Sequence, residues 1–108
     1  MANGTEYPSK WLPIIDRVAL ACIGKAGEES AELSAILFRT IIQGIDEIDP
    51  DTGKLNRLAI QEEIADVAAT SELLIEMLDL DRPSIELRKQ RKIAMKKAWF
   101  AMLREDVR

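Results

Sequence analysis

Two pairs of acidic residues carry the chemistry this 108-residue sequence offers: Glu29 with Glu32, and Glu63 with Asp66. Within each pair the carboxylates sit three residues apart, the spacing that makes side chains neighbours on one helix face. Neighbouring carboxylates repel when ionised, and a bound cation relieves that repulsion. The chain contains no histidine. That excludes Ser–His and Cys–His nucleophilic catalysis, zinc sites built on His, and di-iron bundles that need Glu-x-x-His pairs. Oxygen ligands without nitrogen or sulfur suit hard cations, so the expected metal is Mg²⁺, with Mn²⁺ able to substitute.

The acids need helices to position them. Residues 1–9 read as a loose terminus, with Ser9 as a candidate N-cap. Ile14, Ile15, Val18, Ala19 and Cys22 recur at helical spacing and predict a helix over 10–22, with Gly24 and Gly27 bending or breaking the chain after it. A second helix is expected over 25–43, stopped by Gly44. Residues 45–56 carry Asp49-Pro50-Asp51-Thr52-Gly53, which is turn chemistry, and predict an ordered loop whose acids face solvent. A third helix follows over 57–79, and a fourth over 84–104 with Asp81 or Ser84 as its cap. The expectation is a single all-α domain over 1–108, a four-helix bundle.

Projected at about 100° per residue, the second helix places Lys25, Glu29, Glu32, Ile36, Arg39 and Gln43 on one stripe. Most of its remaining surface is apolar or small, which predicts a buried helix whose polar stripe must meet a partner. The third helix repeats the arrangement with Ala59, Glu63, Asp66 and Thr70, while Gln61, Glu72, Glu76 and Asp79 gather on a solvent side. If the two helices pack antiparallel, four carboxylates converge.

Charge is divided unevenly. Residues 1–81 carry a net −10 and residues 82–108 a net +6, leaving −4 overall. An acidic body argues against nucleic-acid binding. On the basic fourth helix Ile85, Lys89, Lys92, Lys96, Trp99 and Leu103 follow a heptad-like seam. Lysines at seam positions snorkel, pair with acids or meet an anion, and the functional reading is a phosphate clamp at Lys89, Lys92 and Lys96. The single cysteine, Cys22, and the lack of a signal-peptide pattern predict a reduced, cytoplasmic setting. No apolar run reaches the roughly 18 residues of a membrane span.

Gly27-Glu28-Glu29-Ser30-Ala31-Glu32-Leu33, followed by Glu62-Glu63-Ile64-Ala65-Asp66-Val67, resembles the MazG-like all-α nucleoside triphosphate pyrophosphohydrolases, whose pattern is Glu-Glu-x-x-Glu, a spacer, then Glu-x-x-Asp. The resemblance covers about Lys25 to Trp99. Lys25-Ala26-Gly27-Glu28-Glu29 is also similar to the related phosphoribosyl-ATP pyrophosphohydrolases. The resemblance implies Mg²⁺ held by Glu29, Glu32, Glu63 and Asp66, and cleavage between the α and β phosphates to a nucleoside monophosphate and pyrophosphate. It implies catalytic roles for Glu28, Glu29 and Glu63, with Glu28 accepting a proton or supporting the ligands. Lys25 would join the seam lysines in neutralising phosphate charge. It also implies a homodimer or homotetramer, which agrees with more apolar helix surface than one small core uses.

Thirty residues separate Glu32 from Glu63, slightly more than the family's usual spacer, and the extra length falls around residues 46–56. That loop is placed to shape a base pocket, with Arg39, Gln43 and Asn56 as candidate base contacts and a purine such as dGTP or dATP as the substrate guess. Two other readings stay open: hydrolysis of phosphoribosyl-ATP, and a non-enzymatic helical interaction module.

Overall fold

The structure, a computed structural model, describes residues 10–106, apart from the Asp106 side chain. The candidate cap Ser9 lies outside that range. Among the described residues there are three helices and no strand: α1 (Arg17–Gln43), α2 (Asn56–Met77) and α3 (Arg82–Asp106). An isolated antiparallel bridge joins Ile48 to Leu55.

Two expected helices are one. Residues 10–16 are not helical, and Gly24 and Gly27 lie inside a continuous 27-residue α1. Pro13 disfavours helical backbone at Leu12. Asp16 then supplies the cap: its backbone is extended, and its carboxylate accepts from the Ala19 amide at 2.8 Å. An interior glycine costs about 1 kcal/mol against alanine, too little to stop a helix built mainly of Ala, Leu, Ile and Glu. The four-helix expectation thus becomes three helices among the described residues.

Gly44 ends α1 as expected. Its φ of 105° is open to glycine, and its amide donates to the Thr40 carbonyl at 2.8 Å. A side chain there would also meet Glu47 Cγ at 3.1 Å. The following segment is ordered by backbone bonds. Asp49 N donates to Lys54 O, Gly53 N to Asp49 O, and Asn56 N to Glu47 O, all at 2.8–3.0 Å. This brings the chain back alongside itself, and α2 runs antiparallel to α1. Arg39 bonds Asn56 near the turn, and Glu29 groups with Glu63 and Asp66 further along.

The described chain groups into two compact units, divided between Ser71 and Glu72. In the first, the less exposed residues of α1 (among them Ala26, Glu29, Leu33, Ile36 and Thr40) recur every three or four positions, as do Ala59, Glu63, Val67 and Thr70 of α2. A helix face normally reserved for apolar side chains carries a carboxylate on each helix. Ala59 is the only buried hydrophobic side chain among the described residues. The expectation that this helix is buried nearly all round is overturned: Phe38 is 66 % exposed, Ile41 80 % and Ile42 86 %.

In the second unit α2 ends two residues earlier than expected. Asp79 takes a left-handed φ of 51°, and Leu80 N donates back to Ile75 O at 3.0 Å. Asp81, rather than Ser84, caps α3: its carboxylate accepts from the Ser84 amide at 3.1 Å. Pro83 sits in the first turn, where no amide is missed. Arg82 pairs with both oxygens of Glu72. Every α3 residue from Arg82 to Glu105 is exposed. No helix among the described residues is long and apolar enough to cross a membrane.

Candidate functional site

The carboxylates stand in the middle of the α1–α2 pair because helical spacing puts Glu29 and Glu63 on the facing seams. Glu29 is buried, at 7 % exposure. Oxygens of Glu29, Glu63 and Asp66 lie within 4.8 Å of one another, and so do those of Glu28, Glu29 and Glu32. Glu29 belongs to both groups. Five carboxylates therefore share one region, the four of the two pairs together with Glu28.

The electrostatics of the cluster are unbalanced. Burial pushes the Glu63 carboxyl above the usual glutamate range, and the charges of Glu32, Asp66 and Glu29 push it further. Glu32 is also raised, first by the charge of Glu29 and then by burial. Glu29 Oε2 and Glu63 Oε2 are buried and meet no hydrogen-bond donor. Such acceptors normally find a partner, so each is a costly exception within the fold. The nearby cation is Lys25, whose ammonium reaches Glu28 Oε1 at 2.8 Å and Glu29 Oε1 at 3.2 Å. The bond to Glu28, then that to Glu29, holds it above the ordinary lysine range, so it is charged at any physiological pH. One lysine does not satisfy five acids, and the residues present suit a hard divalent cation bound through oxygen.

A second polar group lies nearer the turn. Asn56 is fully buried, and its amide nitrogen donates to Gln43 Oε1 and Gly44 O, each at 2.9 Å. Its oxygen accepts from Arg39 Nη2 at 3.2 Å. Gln43 Nε2 in turn donates to Asp49 Oδ1 at 2.9 Å. The expectation that the loop acids face solvent fails at Asp49, which is 2 % exposed. Its other oxygen accepts from the Thr52 amide and hydroxyl at 3.1 and 3.0 Å, and Arg39 Nη1 is 3.5 Å away. These bonds, the one from Gln43 first, hold Asp49 below the usual aspartate range. Asp46 remains at the surface, paired with Arg57.

The candidate base contacts therefore separate. The Asn56 amide group is fully engaged and Gln43 is bonded on both sides, so these two hold the turn against the helix pair. Arg39 keeps one free group: its Nε is buried and meets no acceptor among the described residues. Arg39 also lines an open cavity of about 160 Å³ together with Ile36, Thr52, Lys54 and Ala59, and Glu63 borders the same space. Sequence reasoning missed Thr52 and Lys54, which read as turn residues. The available signal was the position of that turn, directly after the helix carrying Arg39.

Lys89, Lys92 and Lys96 belong to the second unit, and all three are exposed. Lys89 pairs with Glu86 at 2.8 Å. Lys92 lines an open groove of about 400 Å³ with Arg88 and Arg91, side chains the seam pattern did not include.

Comparison of the chain with family models, with curated proteins and with solved structures finds no match.

Proposed function

We propose that this protein is a metal-dependent hydrolase of nucleoside triphosphates, acting between the α and β phosphates in the manner of the MazG-like enzymes its motifs resemble. One observation carries the reading: two buried carboxylate oxygens, Glu29 Oε2 and Glu63 Oε2, stand without a donor in a five-acid cluster. A purely structural helix pair has no use for that arrangement, since apolar residues in its place would be more stable.

Glu29, Glu32, Glu63 and Asp66 would hold Mg²⁺ or Mn²⁺, which supplies charge stabilisation at the phosphates and a more acidic bound water. With no histidine in the chain, a carboxylate accepts the proton of the attacking water. Glu28 is exposed at the edge of the cluster, and its bond to Lys25 keeps it oriented. Lys25 neutralises charge where the phosphates approach.

The exposed Phe38, Ile41 and Ile42 on α1 support self-association, as a homodimer or homotetramer in which helix pairs from two copies complete a bundle. A nucleotide substrate and a free Cys22 fit a reducing, cytoplasmic setting.

The test is a panel of nucleotides with Mg²⁺ or Mn²⁺, scored separately for pyrophosphate and orthophosphate. Pyrophosphate with a nucleoside monophosphate is the expected product pair. Orthophosphate alone would sink the α–β assignment, and no turnover of any triphosphate would favour an interaction module.

A further inference from the structure

A divalent cation answers the charge of the carboxylates, but a triphosphate arriving with it adds several negative charges beside them. Those call for cations from the chain. The first unit offers few. Lys25 serves the Glu28–Glu29 side of the cluster. Lys10 precedes α1, and Arg17 opens it, about 18 Å along the helix from Glu29. Arg57 pairs with Asp46, and Arg39 is spent on Asn56 and Asp49. Lys54 remains. Its ammonium is 2.6 Å from Glu62 Oε1, the residue next to Glu63, and its side chain lines the same cavity as Glu63. The bond to Glu62 first, then the charges of Glu62, Glu63 and Asp66, hold it above the ordinary lysine range. It is therefore a charged group on the Glu63–Asp66 side of the cluster.

The fold does not depend on this side chain. The Lys54 backbone is fixed without it: its carbonyl accepts from the Asp49 amide at 3.0 Å, and its amide donates to Thr52 Oγ1 at 3.3 Å. The Lys54–Glu62 pair is about half exposed on both sides, at 46 % and 48 %, and such a pair contributes little to stability. An ordered turn thus presents an ammonium whose present partner is easily exchanged. A phosphate group, with more charge than one carboxylate, competes for it on favourable terms. We propose that Lys54 is a phosphate-binding residue of this site: its ammonium exchanges Glu62 for a phosphate of the metal-bound substrate on the Glu63–Asp66 side, while Lys25 serves the other. The inference rests on the proposed triphosphate hydrolysis and adds to it a residue outside the acid motif.

The test separates phosphate binding from metal binding and needs no turnover. Lys54→Met should leave the melting temperature nearly unchanged. Mn²⁺ alone, followed through the EPR signal of the free ion, should bind Lys54→Met as tightly as wild type or a few-fold more tightly, because a like charge near the metal is gone. The phosphate probe is diimidotriphosphate, a tripolyphosphate whose P–NH–P bridges resist hydrolysis. Titrated calorimetrically as its Mn²⁺ complex into Mn²⁺-loaded protein, it should bind Lys54→Met about tenfold or more weakly than wild type. Lys54→Arg, which keeps the charge, should stay within about threefold of wild type. Equal binding of the probe by wild type and Lys54→Met would overturn the inference and leave the hydrolase reading intact. Parallel loss of Mn²⁺ and probe affinity would also overturn it, since that is the mark of a damaged cluster rather than a lost phosphate contact. If wild type binds Mn²⁺ but not the probe, the hydrolase reading falls and the inference with it.

Discussion

The α1–α2 pair holds two buried polar groups, and they are built on opposite terms. Around Asn56 and Asp49, each carboxylate oxygen and each atom of the buried amide has a partner. Around Glu29 and Glu63, like charges crowd together and two oxygens have none. The first group makes sense within the chain alone, since it ties the 45–55 segment to both helices. The second makes sense only with something added. Buried polar groups that satisfy one another define a structure, whereas those left unsatisfied mark where binding energy is to be gained.

Carboxylate-to-amide substitutions bring out the contrast most sharply. Under the proposed function Glu63→Gln removes a metal ligand and should lower metal-dependent turnover about a thousandfold or more, with the helical circular dichroism retained. Retained activity would mean the cluster is not the catalytic centre. In metal-free buffer the same substitution removes a crowded charge and should raise the melting temperature. Asp49→Asn should lower it, because the charged acceptor facing Arg39, Gln43 and Thr52 is lost. If both substitutions move stability in the same direction, the two groups do not differ as described.

Next in size is Asn56→Ala. It leaves the Gln43 oxygen, the Gly44 carbonyl and an Arg39 nitrogen without their bonds, and should cost on the order of 3 kcal/mol in urea unfolding. A loss well under 1 kcal/mol would show that water replaces the amide and that the turn is not held this way.

Acid pH separates the groups with a smaller effect. Asp49 is lowered in the folded state, so its contribution is fully present above the ordinary aspartate value of about 3.9 and is lost as pH falls through its folded value. Glu63 is raised by burial and its neighbours, so its effect has the opposite sign. In metal-free protein the destabilisation sets in as pH rises past the ordinary glutamate value of about 4.3 and is complete above its folded value. Urea unfolding across this range should show the stability advantage of Glu63→Gln over wild type growing with pH. A pH-independent difference would contradict the assigned origin of the shift. The smallest effect is expected at the exposed Asp46–Arg57 pair, where Arg57→Ala should leave the melting temperature nearly unchanged.

Spacing alone made much of this legible. Glu29, Glu32, Glu63 and Asp66 stand together because three- and four-residue periods place them on single helix faces, and the antiparallel return of the chain joins those faces. Gly44, which has no Cβ to oppose a positive φ, ended a helix, and the Asp81 carboxylate began one. The continuity of α1 through Gly24 and Gly27 was not legible, because a weak local penalty is outweighed by the strong helix formers on either side. Nor was the burial of Asp49, a residue whose type and neighbours signal a solvated turn.

What the sequence determined by itself is the helical character of the chain, the two acid pairs and the exclusion of histidine chemistry, since these rest on local preference and composition. What only the tertiary structure decided is which polar residues are satisfied. Arg39, Gln43 and Asn56 look alike as sequence, yet two are bonded throughout and one keeps a buried donor without an acceptor among the described residues. That distinction depends on residues 6 to 17 positions apart meeting in space, and helical periodicity carries no information about what stands across the gap.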